Sequence, residues 1–196
     1  MRLSVLIQLI LFSTAWAQHA VYPSAGNIFD GRLHRIDIFL HPDSLKSLIH
    51  EQNRWTNQVY ACTFVFDELD TFLSAGVRLR GNTSRNAERP SFKILFDYGY
   101  NKDFRGLEEL NVLGVHNDPS LVRTLLSYQL FSHAIPWSLR TAHVEFYING
   151  TYRGLHTLVE DADRTFLKSR FGSASGAFFK CTWPADLKWK GSDPQV

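Results

Sequence analysis

In the stretch GVRLRGNTSRNAERPSFKILF, residues 76–96, two alternating segments flank a loop of small, polar and basic residues. Val77 and Leu79 point to one side of the first segment and Arg78 and Arg80 to the other. In the second, Phe92, Ile94 and Phe96 oppose Ser91, Lys93 and Leu95. Such alternation marks a hairpin with one buried face, and it puts the cations on the face that shares the loop. Gly81, Asn82, Thr83 and Ser84 can offer backbone N–H groups and hydroxyls to an oxyanion, while Arg80 and Lys93 supply charge. The chemistry this pattern can do is phosphate binding. The same pattern also describes a solvated sheet face, and the two readings stay open at this level.

Other candidate constellations are weaker. In Glu160-Asp161-Ala162-Asp163 an Asp-x-Asp pair could hold a divalent cation, but such sites need several converging oxygens and the run supplies only neighbours. Helix capping by Asp163 accounts for it more simply, and no metal ligand is assigned. Glu160 is retained as a strand-end carboxylate with two readings, one beside a nucleotide and one simply exposed. Gly172-Ser173-Ala174-Ser175-Gly176 has Ala174 where a hydrolase nucleophile elbow requires Ser. The histidines show no paired ligand spacing. Trp55, Trp137, Trp183 and Trp189 could stack on sugars, although core filling is the expectation.

Several elements must position these residues. Residues 33–40 alternate as a strand through Ile36, Ile38 and Leu40, and Pro42-Asp43 opens a helix with Leu45, Leu48 and Ile49 at helical spacing. Residues 59–66 alternate again, followed by a turn at 67–70 and the basic hairpin. Asp118-Pro119 reads as an N-cap with proline at the first helical position, starting a helix that runs to about His133 with Leu121, Leu125 and Tyr128 as its stripe. Residues 144–148 and 152–159 form a second hairpin around Asn149-Gly150. A short helix over 164–170 follows, with Asp163 as N-cap and Gly172 as stop. The pattern predicts an α+β domain, mostly sheet.

Composition bounds the class. Of 196 residues, 44% are hydrophobic and 14% aromatic, which excludes disorder and supports one domain with a real core. A formal charge of +2 without a basic block gives no footprint for nucleic acid. Arg2, the apolar run 3–12 and Ala15-Trp16-Ala17 read as a signal peptide, 1–17, cleaved before Gln18. That run is too short to span a bilayer, so a secreted or cell-surface protein of residues 18–196 is expected. In an exported chain Cys62 and Cys181 could form a disulfide or remain free thiols. The last residues, 178–196, bring no closing element, as in a chain cut inside a domain.

Several phrases in order carry a family resemblance: LHRIDIFLHPDSLKSL, AGVRLRGNTS, PSFKILFD, GLEELNVL, DPSLVRTLLSYQLF, VEFYINGTYRGLHTLVEDADRTFLKSRFG and FFKCTWPADL. Together they resemble the CotH kinase family, named for spore coat protein H, across about 33–187. The resemblance implies an atypical kinase with a divergent protein-kinase-like fold, of which this chain is mainly the N-terminal nucleotide-binding lobe. It implies ATP with Mg2+ or Mn2+ as cofactors and a secreted, surface or coat protein as substrate. The loop 81–84 would lie over the phosphates and Lys93 would pair with them. Arg80, Asn82, Ser84, Lys93 and Glu160 are therefore the expected nucleotide contacts. The helix over 120–132 would resemble the regulatory helix and 159–163 the hinge. Thr124 stands where family members often carry an acidic residue. The family's catalytic and metal-binding Asp lie in later segments, so no catalytic residue is assigned and this portion is expected to be inactive by itself. The alternative is a non-catalytic secreted surface or coat-assembly module.

Overall fold

A computed structural model describes residues 24–100, 103–135 and 137–181; the expected signal peptide, Trp183 and Trp189 lie outside the described residues. Seven strands form the sheet: β1 (His34–Phe39), β2 (Tyr60–Phe66), β3 (Asp70–Arg80), β4 (Ser91–Leu95), β5 (Glu109–Leu113), β6 (Thr141–Ile148) and β7 (Thr151–Glu160). Three α-helices accompany them: α1 (Pro42–Ile49), α2 (Arg123–Ala134) and α3 (Arg164–Phe171). The mixed α+β expectation holds at this level.

The sheet closes on itself in the order β1-β2-β3-β4-β5-β7-β6. All pairs are antiparallel except β1–β6, whose parallel register runs from His34 opposite Val144 to Ile38 opposite Ile148 and seals the barrel. Closure removes free sheet edges and puts every second residue inside. At one end of the interior Phe64, Phe72, Phe96 and Phe104 form a cluster with centroids 5.0–6.1 Å apart, edge-to-face except for the stacked pair Phe96–Phe104. At the other end Phe92, Phe146 and His156 meet, with 5.2 Å between the two phenylalanines and 5.1 Å from Phe146 to the imidazole.

These phenylalanines fill the barrel, whereas the two described tryptophans, Trp55 and Trp137, do not. Trp55 is 57% exposed and Trp137 48% exposed, against the expectation of core packing. The Asn149-Gly150 turn forms as predicted, with φ of 49° and 75° matching a mirror-image turn. The Asn149 side chain then ties it to β1, accepting from the Leu40 N–H at 2.8 Å and donating to the Leu40 carbonyl at 3.0 Å.

Two expectations shift. β5 carries no clear alternation signal and was not anticipated, because only five residues pair there. The long helix begins at Arg123, not at Pro119, and Leu121 takes φ 61° outside it. Asp118 still caps it, but across a loop: one carboxylate oxygen accepts from the Arg123 N–H at 2.8 Å, and the other from Ser120 N and Oγ. α3 forms as read, with Asp163 accepting from Phe166 N–H at 2.9 Å and Gly172 left-handed at its C-terminus.

Candidate functional site

β3 and β4 pair Arg78 with Lys93 and Arg80 with Ser91, while Val77, Leu79, Phe92 and Ile94 enter the core. The register continues outward from Lys93 to Asn111 on β5 and Val159 on β7. Strand alternation thus places Arg78, Arg80, Lys93, Glu109, Asn111 and Asp161 on one outer face of the barrel.

Lys93 is only 7% exposed and is held by two carboxylates. Its ammonium lies 3.0 Å from Asp161 Oδ2 and also contacts Glu109. Asp161 in turn accepts from Asn111 Nδ2 at 3.0 Å and from Lys180 at 3.1 Å. Burial works to raise Asp161, but hydrogen bonds from Glu109, Asn111 and Lys93 overcome it and hold Asp161 well below the usual carboxylate range. Burial and the bond to Asp161 push Glu109 up. The two carboxyls therefore titrate as a pair, Glu109 the weaker acid of the two and Asp161 the stronger.

Glu109 and Asp161 join Lys93 to an open cleft of about 470 Å3, which Asp163, Lys180 and Phe178 also line. One oxygen each from Glu109, Asp161 and Asp163 lie within 4.8 Å of one another, so among the described residues these three could hold a cation. β5 supplies the third oxygen that the Glu160-Asp161-Ala162-Asp163 run lacks by itself. Asp163 also caps α3, so it serves both arrangements.

Arg80 is half-buried on the same face and has no carboxylate in ion-pair contact among the described residues. Burial lowers its pKa, partly offset by attraction to Asp161 and Tyr128. The loop after it folds as a 3-10 turn, Thr83–Asn86, in which Ser84 Oγ donates to the Arg80 carbonyl at 3.0 Å. Asn82 is exposed and makes no side-chain capping bond. Gly81 has φ +96°, and a Cβ there would stand 2.1 Å from Ser84 Oγ, so only glycine fits this cradle.

Of the residues singled out in the sequence, Arg80, Asn82, Ser84 and Lys93 occupy one hairpin. Glu160 stands apart from them. It is 1% exposed and clamped between Arg140, at 2.9 Å, and Arg170, at 2.5 Å, bolting the end of β7 to the start of β6 and to α3. Its neighbour Asp161 faces Lys93 instead. Glu109 and Asn111 went unnoticed in the sequence, and Asp161, weighed there only in the Asp-x-Asp pair, was set aside in favour of helix capping. Their signal was parity: Glu109 and Asn111 are two apart on one strand, and Asp161 shares the parity of Val159.

The remaining expectations on chemistry resolve simply. Cys62 is buried on β2, Cys181 is exposed, and both are free thiols. No helix among the described residues is long and apolar enough to cross a membrane.

Residues 77–196 match a family model described as CotH kinase protein. The chain is also similar to the inner spore coat protein H of Bacillus subtilis (strain 168), with 28% identity over 142 residues. The alignment covers 72% of this chain and 37% of that protein, so the chain spans little more than a third of the length of the curated relative it matches.

Proposed function

Since the chain belongs to the CotH kinase protein family, we propose that it forms the nucleotide-holding part of an ATP-dependent protein kinase with a divergent kinase-like fold. The observation that carries this reading is Lys93, a buried ammonium on the outer face of the loop-bearing hairpin, fixed by Asp161 and Glu109 at the edge of a cleft. A phosphoryl donor needs fixed cations and donors more than it needs covalent chemistry from the protein.

The residues present fit such a ligand. Arg80 is a half-buried cation without a carboxylate partner, Asn82 is uncommitted, and Gly81 leaves the cradle that a Cβ would fill. Asn111 Oδ1 and Thr157 Oγ1 are buried on this face with no partner, polar atoms that a ligand or water would satisfy. ATP supplies the transferable phosphoryl group. Arg80 and the 81–84 loop would hold its phosphates, and Glu109, Asp161 and Asp163 would hold a divalent cation. Lys93 would keep Asp161 ionised and positioned.

The relative's name places that protein in the inner spore coat. We carry a coat or cell-surface location and export to this chain as part of the same proposal, with an exported or coat protein as the acceptor.

The test uses the longest native form of the protein. Arg80→Gln removes a cation that holds no ion pair, so the variant should fold. It should lower ATP affinity about tenfold, the loss of one charge-assisted hydrogen bond. Unchanged ATP affinity in the folded variant would sink the assignment.

A further inference from the structure

The inner side of the same hairpin leads elsewhere. Leu79 and Phe92 face each other as the last core residues of β3 and β4, and beyond them the barrel end opens into a cavity of about 300 Å3. Its floor is Leu79, Phe92 and His156, and its walls carry Arg54, Arg85 and Arg153. Glu88, exposed, is the one carboxylate among the lining residues. Barrel mouths are a recurring place for small ligands.

Arg85 is the anchor. It is 8% exposed, and its guanidinium donates only to neutral oxygens: Gly81 O at 2.6 Å, Arg54 O at 2.7 Å, Thr56 O at 2.8 Å and Asn57 Oδ1 at 2.8 Å. These bonds fix its geometry but leave its charge without a counter-ion. A buried charge in that condition is costly unless an anion shares the site. Burial and repulsion from Arg78 lower its pKa accordingly.

The surroundings add to the imbalance. Several arginines elsewhere are matched, as in Arg35 with Asp37, Arg105 with Asp70, and Arg140 with Glu160. Arg54, Arg85, Arg89 and Arg153 gather at this end of the barrel, and none has a carboxylate in ion-pair contact among the described residues. His156 adds no charge. It is 1% exposed with both ring nitrogens against backbone carbonyls, at 3.1 and 3.3 Å, and burial holds its pKa down.

We propose that this cavity at the barrel mouth is an anion site separate from the Lys93 face, taking a phosphate or sulfate group, free or carried on a small molecule, between Arg85 and the rim arginines Arg54 and Arg153. Arg85 contributes its charge, its Nε and Nη1 donors being taken by carbonyls, while the rim guanidiniums that share the cavity lining offer forks that match a tetrahedral oxyanion. The apolar floor of Leu79 and Phe92 leaves room for a carbon group on an ester.

Arg85→Gln would strip the loop of its bonds, so the rim is the better probe. Arg54 meets Arg85 through its backbone carbonyl, which a side-chain change leaves in place. The native chain, in a buffer free of oxyanions, is titrated calorimetrically with inorganic phosphate, sulfate and phenyl phosphate. The double variant Arg54→Gln/Arg153→Gln should bind at least about tenfold more weakly, and Arg32→Gln, which removes an exposed cation remote from both sites, should bind as the wild type. Equal affinity for phosphate and its phenyl ester identifies a free anion as the ligand; tighter binding of the ester identifies an organic phosphate. No binding by the folded wild type, binding retained by the double variant, or binding lost equally in Arg32→Gln would each overturn the proposal.

Discussion

Lys93 on β4 and Asp161 beyond β7 lie 3.0 Å apart although 68 residues separate them in the chain. Their side chains are 9% and 4% exposed, so the pair sits where water screens little. With Glu109 on the other side of the ammonium, it ties three consecutive strands of the barrel together on their outer face.

Lys93→Ala is therefore not a silent probe of nucleotide binding. It leaves two carboxyls facing each other with only the half-exposed Lys180 against Asp161, and it should destabilise the protein by about 3–5 kcal/mol, the cost of breaking a buried pair. Urea unfolding measures this directly. The double variant Lys93→Ala/Asp161→Ala should lose less than the two single losses added together, and strict additivity would deny the coupling.

Gly81→Ala tests the loop. The φ of +96° and the 2.1 Å approach to Ser84 Oγ mean that a methyl group strains the backbone and displaces a hydroxyl already bonded to Arg80. A loss of about 1–3 kcal/mol is expected. Gly176→Ala meets nothing within 4 Å and serves as the neutral control. Equal melting temperatures for the two variants would show that the cradle tolerates a side chain.

His156 sets a pH dependence. Burial lowers its folded pKa below 6.5, so the unfolded chain binds more protons than the native one as pH falls under that value. Its contribution is fully present above 6.5 and is lost as pH drops toward the folded value, at up to about 1.4 kcal/mol per pH unit. Urea midpoints between about pH 7 and pH 5 should fall more steeply for the wild type than for His156→Gln. Parallel slopes would show that another group controls the transition.

The two thiols should react unequally. Burial pushes Cys62 up to about 12, so its thiolate is scarce at neutral pH, whereas Cys181 is exposed. An aromatic disulfide reagent should titrate Cys181 in the native protein at once and Cys62 only after denaturant is added. Two thiols reacting together without denaturant would contradict the burial of β2.

The sequence by itself determined the parts whose causes are local. Alternation through Val77–Arg80 and Phe92–Phe96 carried the hairpin and its basic face, Asn149-Gly150 carried its turn, and Asp163 with Gly172 bracketed α3. Each rests on neighbours within a few residues, where propensity and capping act. The ordered phrases also carried the family, because the same local constraints recur in the same order. Tertiary structure decided the rest. Barrel closure depends on β1 meeting β6 in parallel, a pairing between segments about a hundred residues apart that no local pattern encodes. The same register turned Asp161 toward Lys93 and sent Glu160 to Arg140 and Arg170, a difference of one residue in strand parity that reverses which carboxylate enters the site. Arg85 shows the point once more. In sequence it is one more basic residue in a polar loop; only the fold, by surrounding its guanidinium with carbonyls, makes it a buried cation.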